Sequence, residues 1–252
     1  MTTLIVLAIT GFVAAVINAV AGNGGTLVVT VMSAIGLPAN SITASVRIPS
    51  LLGYLTTGTG FMRQKVVPWG LTLRLAAPLA IGAGVGALVA SITPELITRY
   101  AVIVGLSAGA LVLYVSRTGW TTAGMGMMSV NARGRTLAIF FAVGAWSGFI
   151  FTASTMYALL VLVLVAHLEI VPANAVKAVA VFGENLFAAA VFLGHGDIHW
   201  DWVIALSAGF VAGGLLGVWV ALRYSKPGWI HDLLLFMTLA GLLVAIARVL
   251  PA

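Results

Sequence analysis

Two basic side chains stand where a membrane helix tolerates them least. Arg47 lies in an apolar stretch from Ala39 to Met62, and Lys177 in a second from Ala173 to Leu193. Each stretch follows a Pro-Ala-Asn, Pro38-Ala39-Asn40 and Pro172-Ala173-Asn174. A charge deep in a spanning helix costs about 2.5–3.5 kcal/mol on insertion scales, so it faces a partner, a cavity or a ligand. Aligned on Pro-Ala-Asn, Lys177 falls opposite Thr43, one helical turn before Arg47, which sets both cations on corresponding faces. The chemistry such a pair offers is to complement the charge of a small anion. Glu184 follows Lys177 at i+7 on the same face. It reads as a counter-ion, a proton carrier, or a polar packing residue beside Asn185. One acid cannot neutralise both cations.

The other candidate ligands lie at breaks in apolar runs. Asn18 and Asn23 flank or join Gly22, Gly24 and Gly25; Thr152, Ser154 and Thr155 form a second polar break. Glycine frees the backbone for non-helical angles. A half-helix starting there presents free N–H groups and partial positive charge, which suits an anion. Irregular backbone at that depth is tolerated only when buried or lining a cavity. The bland readings stand beside these: Arg47 as a structural cation on helix carbonyls, Lys177 snorkelling to the interface, and Gly22–Gly25 as a tight packing turn. The chain has no cysteine, which removes disulfides, haem attachment and thiolate metal sites. No cofactor is expected. His195 and His199 flank Asp197 in a loop, where solvation suffices for all three without a metal.

Those residues must be held by a membrane frame. Hydrophobic residues make up 62% of the chain and charged ones 7%, with a mean hydropathy of +1.16. A soluble domain carries about 25% charged residues, so the class is a polytopic, all-α membrane protein. The net charge of +6 sits in short loops between apolar runs and is no nucleic-acid signal. Met1-Thr2-Thr3 lacks a basic lead-in, so the first apolar run reads as a retained helix despite Ala19-Val20-Ala21.

In chain order, residues 3–21 predict a helix, 22–25 a break and 26–36 a half-length helix; spans follow at 41–62, 70–91 and 95–115. Thr93-Pro94-Glu95 starts the last of these with a capping hydroxyl, a proline and a first-turn acid. Residues 116–135 are the longest polar connection and predict a cytoplasmic linker. The plan then recurs: 136–153, a polar break, a short run to His167, and spans at 173–193, 202–222 and 230–249. Phe61…Trp69 matches Phe192…Trp200, and Gly82/Gly86 matches Gly213/Gly217, at a common offset. The glycine pairs read as helix-packing faces, and Trp69, Trp200, Trp202 and Trp229 as interfacial anchors. The organisation expected is a first repeat over 1–115, the linker over 116–135 and a second repeat over 136–252. Each repeat holds a broken or re-entrant hairpin and three spanning helices.

Loop charge orients the halves. Arg63, Lys65, Arg74, Arg117, Arg133, Arg135, Arg223 and Lys226 go to the cytoplasm, against Arg99 and Arg248 outside. Corresponding loops then land on opposite faces, so inverted repeats are expected, as in alternating-access carriers.

Ala21-Gly22-Asn23-Gly24-Gly25, Gly36-Leu37-Pro38-Ala39-Asn40 and Ala44-Ser45-Val46-Arg47 resemble the first-half signature of the TauE/SafE family. Pro172-Ala173-Asn174-Ala175-Val176-Lys177 and Gly196-Asp197-Ile198-His199-Trp200 fit its second half. The chain departs from the family at the second break, where Phe151-Thr152-Ala153-Ser154-Thr155 stands in place of a glycine cluster. The resemblance implies a multi-pass carrier of the bacterial inner membrane that exports sulfite, sulfoacetate or a related organosulfur anion, with the bilayer and a small anion as partners. Proton coupling through Glu184 and homo-oligomerisation are left open.

Two other classes compete. A passive anion channel is compatible with the same cations. An intramembrane aspartyl protease is suggested by Gly194-His195-Gly196-Asp197 in letters alone, because that chemistry needs two carboxylates sharing a buried site. No G-x-S-x-G is present for a serine hydrolase.

Overall fold

The computed structural model describes residues 2–121, 134–195 and 198–249. Most of the linker, and Gly196 and Asp197 of the last motif, lie outside the described residues. The chain forms α1 (Thr2–Val20), α2 (Gly24–Ala34), α3 (Ala39–Arg63), α4 (Trp69–Ile92), α5 (Glu95–Val115) and the short α6 (Arg117–Thr121). The second half comprises α7 (Gly134–Phe149), α8 (Ser154–Leu160) running into a π-helical turn (Val161–Val165), α9 (Ile170–His195), α10 (Trp200–Tyr224) and α11 (Pro227–Val249). The expected spans are all present, with ends within a few residues. The largest shift is at α7, which ends at Phe149 rather than at residue 153, and α9 starts before Pro172 rather than after it. Proline is tolerated there because a first-turn N–H has no intrahelical acceptor to lose.

Among the described residues, six helices (α1, α4, α5, α9, α10 and α11) are long and apolar enough to cross a membrane. The protein is a polytopic all-α membrane protein. At 25 residues α3 is long enough, about 37 Å at 1.5 Å per residue, but its hydroxyls and Arg47 make it the least apolar of the long helices. Its surroundings explain this: α3 packs on α9 and α10 in the interior, away from lipid. The rim instead exposes Leu73, Ile81 and Ile92 of α4, Val104 and Leu111 of α5, and Phe236 and Leu243 of α11.

Glycine sets the tightest contacts. A Cβ on Gly209 or Gly213 of α10 would fall on the Ala8 or Phe12 carbonyl of α1, and one on Gly217 would strike Ala19. Likewise, a Cβ on Gly82 or Gly86 of α4 would fall on the Phe141 or Ala145 carbonyl of α7. Both expected packing faces are therefore real, and in each pair residue numbers rise together. The helices α1 and α10 run parallel, as do α4 and α7. α3 also runs parallel to α10, with Gly53 against Phe210 and Gly60 against Val218.

Two contacts join helices that hold equivalent places in the halves, and both run the other way. In α3 and α9, Arg47 faces Glu184 while Gly58 lies against Val179. In α5 and α11, Leu113 meets His231 while Leu106 lies near Gly241. The parallel packing brings the ends of α3 and α10, with Arg63, Lys65, Arg223 and Lys226, to one face. The start of α5, with Glu95 and Arg99, lies at the other.

Antiparallel α3 and α9 predict opposite exposure of their C-terminal ends. Single cysteines at Gln64 and Gly194, in a chain with no native cysteine, are expected to label with impermeant maleimide from opposite sides of the membrane. Labelling of both from one side contradicts the arrangement.

Candidate functional site

The site forms where α1 and α7 stop. α1 unwinds after Val20, and Gly22 turns the chain at φ 88° before α2 begins. At the matching place after α7, Ala153 turns it at φ 61°. Left-handed backbone is open to glycine but costs other residues about 1–2 kcal/mol. The second break thus has the geometry of the first without its glycine. Gly24 and Gly25 answer a different need: a Cβ on Gly24 would fall on the Ala14 carbonyl, and one on Gly25 would lie 2.7 Å from the Phe151 ring. Gly24 lets α2 fold back on α1, and Gly25 lets the second break pack on α2.

Helices that end inside the protein leave carbonyls without intrahelical donors. At the end of α7, Arg47 Nη2 donates to the Ser147 carbonyl and, at 3.2 Å, to that of Gly148. Glu184 sits on the other side, its Oε1 3.8 Å from Arg47 Nη1 and accepting the Ser147 hydroxyl. Phe151 and Phe192 lie 5.1 and 5.7 Å from the guanidinium carbon, ring faces toward it. Glu184 therefore pairs across helices with Arg47, not along its own helix with Lys177.

At the end of α1, Lys177 Nζ donates to the Asn18 carbonyl at 2.6 Å and to Asn174 Oδ1 at 2.5 Å. Asn174 Nδ2 donates to the Val20 carbonyl at 2.8 Å, and the Thr155 hydroxyl to that of Gly22. Asn18 Oδ1 accepts the Gly24 N–H at 2.8 Å, capping the start of α2. Asn23 links Thr26 and Thr238 at 2.5 and 2.9 Å. Ser154 turns back on the Phe151 carbonyl at 3.0 Å. Arg47, Lys177 and Glu184 are all buried, so neither cation snorkels to an interface.

Several donors in this region remain without acceptors. Among the described residues, Asn18 Nδ2, Arg47 Nε and Nη1, Ser50 Oγ, Tyr54 OH and Thr152 Oγ1 are buried with no hydrogen-bond partner. Arg47, Ser50 and Tyr54 recur at i, i+3 and i+7 and share one face of α3. Asn18 and Tyr54 line the same narrow void between α1 and α3. A cavity of about 170 Å³ approaches from the face opposite the basic loops. It enters past Glu95 and Arg99, follows Thr30 and Thr26 of α2, and reaches Thr152. At roughly 30 Å³ per water it has room for about five or six waters. The Phe151 ring, next to Thr152, covers Arg47.

Sequence reasoning placed Asn18, Arg47 and Thr152 in this set and missed Ser50, Tyr54 and Phe151. The signal for the first two was the helical spacing from Arg47. For Phe151 there was none, because its role depends on which way the break turns.

The family profile described as "Sulfite exporter TauE/SafE" matches residues 7–247. The chain belongs to the TauE/SafE family. It is a multi-pass membrane transporter. A "Probable membrane transporter protein ORF9" from Sinorhizobium sp is 26% identical over 221 residues, 86% of this chain and 81% of that protein. No solved structure is significantly similar.

Two stability outcomes follow. Arg47→Met leaves Glu184 buried without its cation, a loss of about 3–5 kcal/mol for a broken buried pair. Adding Glu184→Gln is expected to recover part of the drop in melting temperature in detergent; strictly additive losses refute the pairing. Ala153→Gly removes left-handed strain and is expected to raise the melting temperature by a few degrees, about 1 kcal/mol at this chain length. An unchanged or lower value contradicts a strained turn.

Proposed function

We propose that this transporter exports a small oxyanion, sulfite or a short organosulfonate such as sulfoacetate, across the bacterial inner membrane by alternating access. The observation that carries the reading is the set of buried donors without acceptors: Arg47 Nε and Nη1, Asn18 Nδ2 and the Tyr54 hydroxyl. A buried unmet donor costs about 1–3 kcal/mol, more when charged, and a protein retains such groups where an acceptor arrives. Tetrahedral or pyramidal oxyanions accept from several directions at once. Nε and Nη1 of Arg47 each offer such an oxygen an N–H in the guanidinium plane.

The family is described by sulfite export, and its Sinorhizobium relative comes from a bacterium. The proposed substrate class and membrane follow from these. The cavity supports a carrier over a channel, because it reaches Thr152 and does not continue to the basic loops of the other face. The antiparallel pairs α3/α9 and α5/α11 support inverted repeats over 1–115 and 136–252, which give the same site access from either side. Gly22, Gly24, Gly25, Asn23 and Ser154 shape the breaks in this reading, and Glu184 is placed to exchange a proton when the anion leaves Arg47.

The test is saturable counterflow of radiolabelled sulfite, and its competition by sulfoacetate, in proteoliposomes. Arg47→Met, Asn18→Asp and Tyr54→Phe are each expected to weaken anion affinity by roughly ten- to a hundredfold, the worth of a hydrogen bond to a charged group. Arg47→Lys recovers part, since a point charge does not reproduce the fixed planar donors of the guanidinium. Wild-type affinity in all three variants overturns the site; unitary currents in planar bilayers overturn the carrier.

A further inference from the structure

We infer that Lys177 is a tethered cation occupying, at the C-terminal end of broken α1, the position where a coupling metal cation would bind, so that transport runs without sodium. The inference rests on the carrier reading above.

The C-terminal end of a helix carries about half a negative charge on its unpaired carbonyls. In carriers with discontinuous helices, such ends and the unwound carbonyls beside them coordinate coupling cations. Here the end of α1 carries those oxygens, and the Lys177 ammonium is on them, 2.6 Å from the Asn18 carbonyl and 2.5 Å from Asn174 Oδ1. Both of these acceptors are neutral oxygens, the donor set of a monovalent cation site. The set is built rather than incidental. Asn174 Nδ2 is held by the Val20 carbonyl, which aims Oδ1 at Lys177. Thr155 takes the Gly22 carbonyl. A Cβ on Gly22 would lie 3.2 Å from Nζ, so the missing side chain leaves room for the ammonium. Lys177 is 1% exposed, so its charge is held at this place and nowhere nearer water.

The arrangement is crossed. Lys177 comes from α9 and serves α1, while Arg47 comes from α3 and serves α7 through Nη2. Arg47 keeps Nε and Nη1 for the anion and has Glu184 beside it. Lys177 has no acid beside it and gives two of its three N–H groups to the Asn18 carbonyl and Asn174 Oδ1, so its role differs from that of an anion ligand. Each half of the chain supplies the cation for the broken helix of the other.

Sulfite counterflow by the wild-type protein in sodium, potassium and choline media is the first measurement. Rates within twofold of one another are expected; a tenfold or greater loss without sodium overturns the inference. The second uses chemical rescue, which a merely space-filling lysine would not show. Lys177→Ala is expected to lower the melting temperature, with part restored by n-propylammonium chloride, which replaces the deleted atoms, and none by tetramethylammonium chloride, which cannot donate. Lys177→Met, which fills the space without charge, is expected to gain from neither salt. A wild-type melting temperature in Lys177→Ala, or no selective gain from propylammonium, overturns the inference. If neither variant accumulates in membranes, accumulation of Lys177→Arg decides: a severalfold excess over Lys177→Met supports a required cation, and equal levels refute it. Absence of any sulfite flux in the wild type counts against the substrate reading, and the thermal measurements then still decide the role of Lys177.

Discussion

A helix that stops inside a membrane protein exposes carbonyls that no water can satisfy, and the centre of this molecule is organised by that constraint. α1 and α7 both stop there. Their last carbonyls are met by Lys177, Asn174 and Thr155 at one break and by Arg47 at the other. Each of these side chains comes from the half of the chain opposite the helix it serves. Those carbonyls are therefore met only once the halves have come together. The same exchange makes them a joint, since α3 or α9 cannot move without pulling on the other half's broken helix.

The frame around this centre is stiff where glycine allows backbone contact and plain where it meets lipid. α1 with α10, and α4 with α7, approach so closely that a single methyl would strike a carbonyl. Such pairs behave as units. α5 and α11 bury the smallest share of their length among the six apolar spans and turn leucine, valine and phenylalanine outward. Between the units, α3 and α9 carry the polar load that lipid would not accept. Low dielectric makes that load consequential: a donor left unmet there costs far more than at a surface. An oxyanion is the kind of group that removes the cost.

Phe151 connects the two features. Its ring lies over the Arg47 guanidinium and against Gly25, while its neighbour Thr152 faces the cavity. One turn thus touches both, with Thr152 lining the cavity and Phe151 over the cation. Ala153, the left-handed residue at that turn, is the local price of placing it there.

The amino-acid sequence by itself determined class, spans and candidate chemistry, because these depend on local quantities. Apolar run length marked the helices, and Gly22 and the Thr152–Thr155 cluster marked the breaks. The cost of burying Arg47 and Lys177 marked both as side chains that must find a partner. Glycine spacing likewise foretold the packing faces. What only the tertiary structure decided is which partner each of them takes. Glu184 shares a helix face with Lys177 by spacing, yet it lies against Arg47, because α9 crosses α3 in the antiparallel sense. Ser50 and Tyr54 read as ordinary helix residues until their hydroxyls are found buried and unmet. Ala153 resembles any alanine until the chain turns on it. Hydropathy records how much a residue resists water, but a hydrogen bond requires a direction and a neighbour. Those are set by how the helices cross.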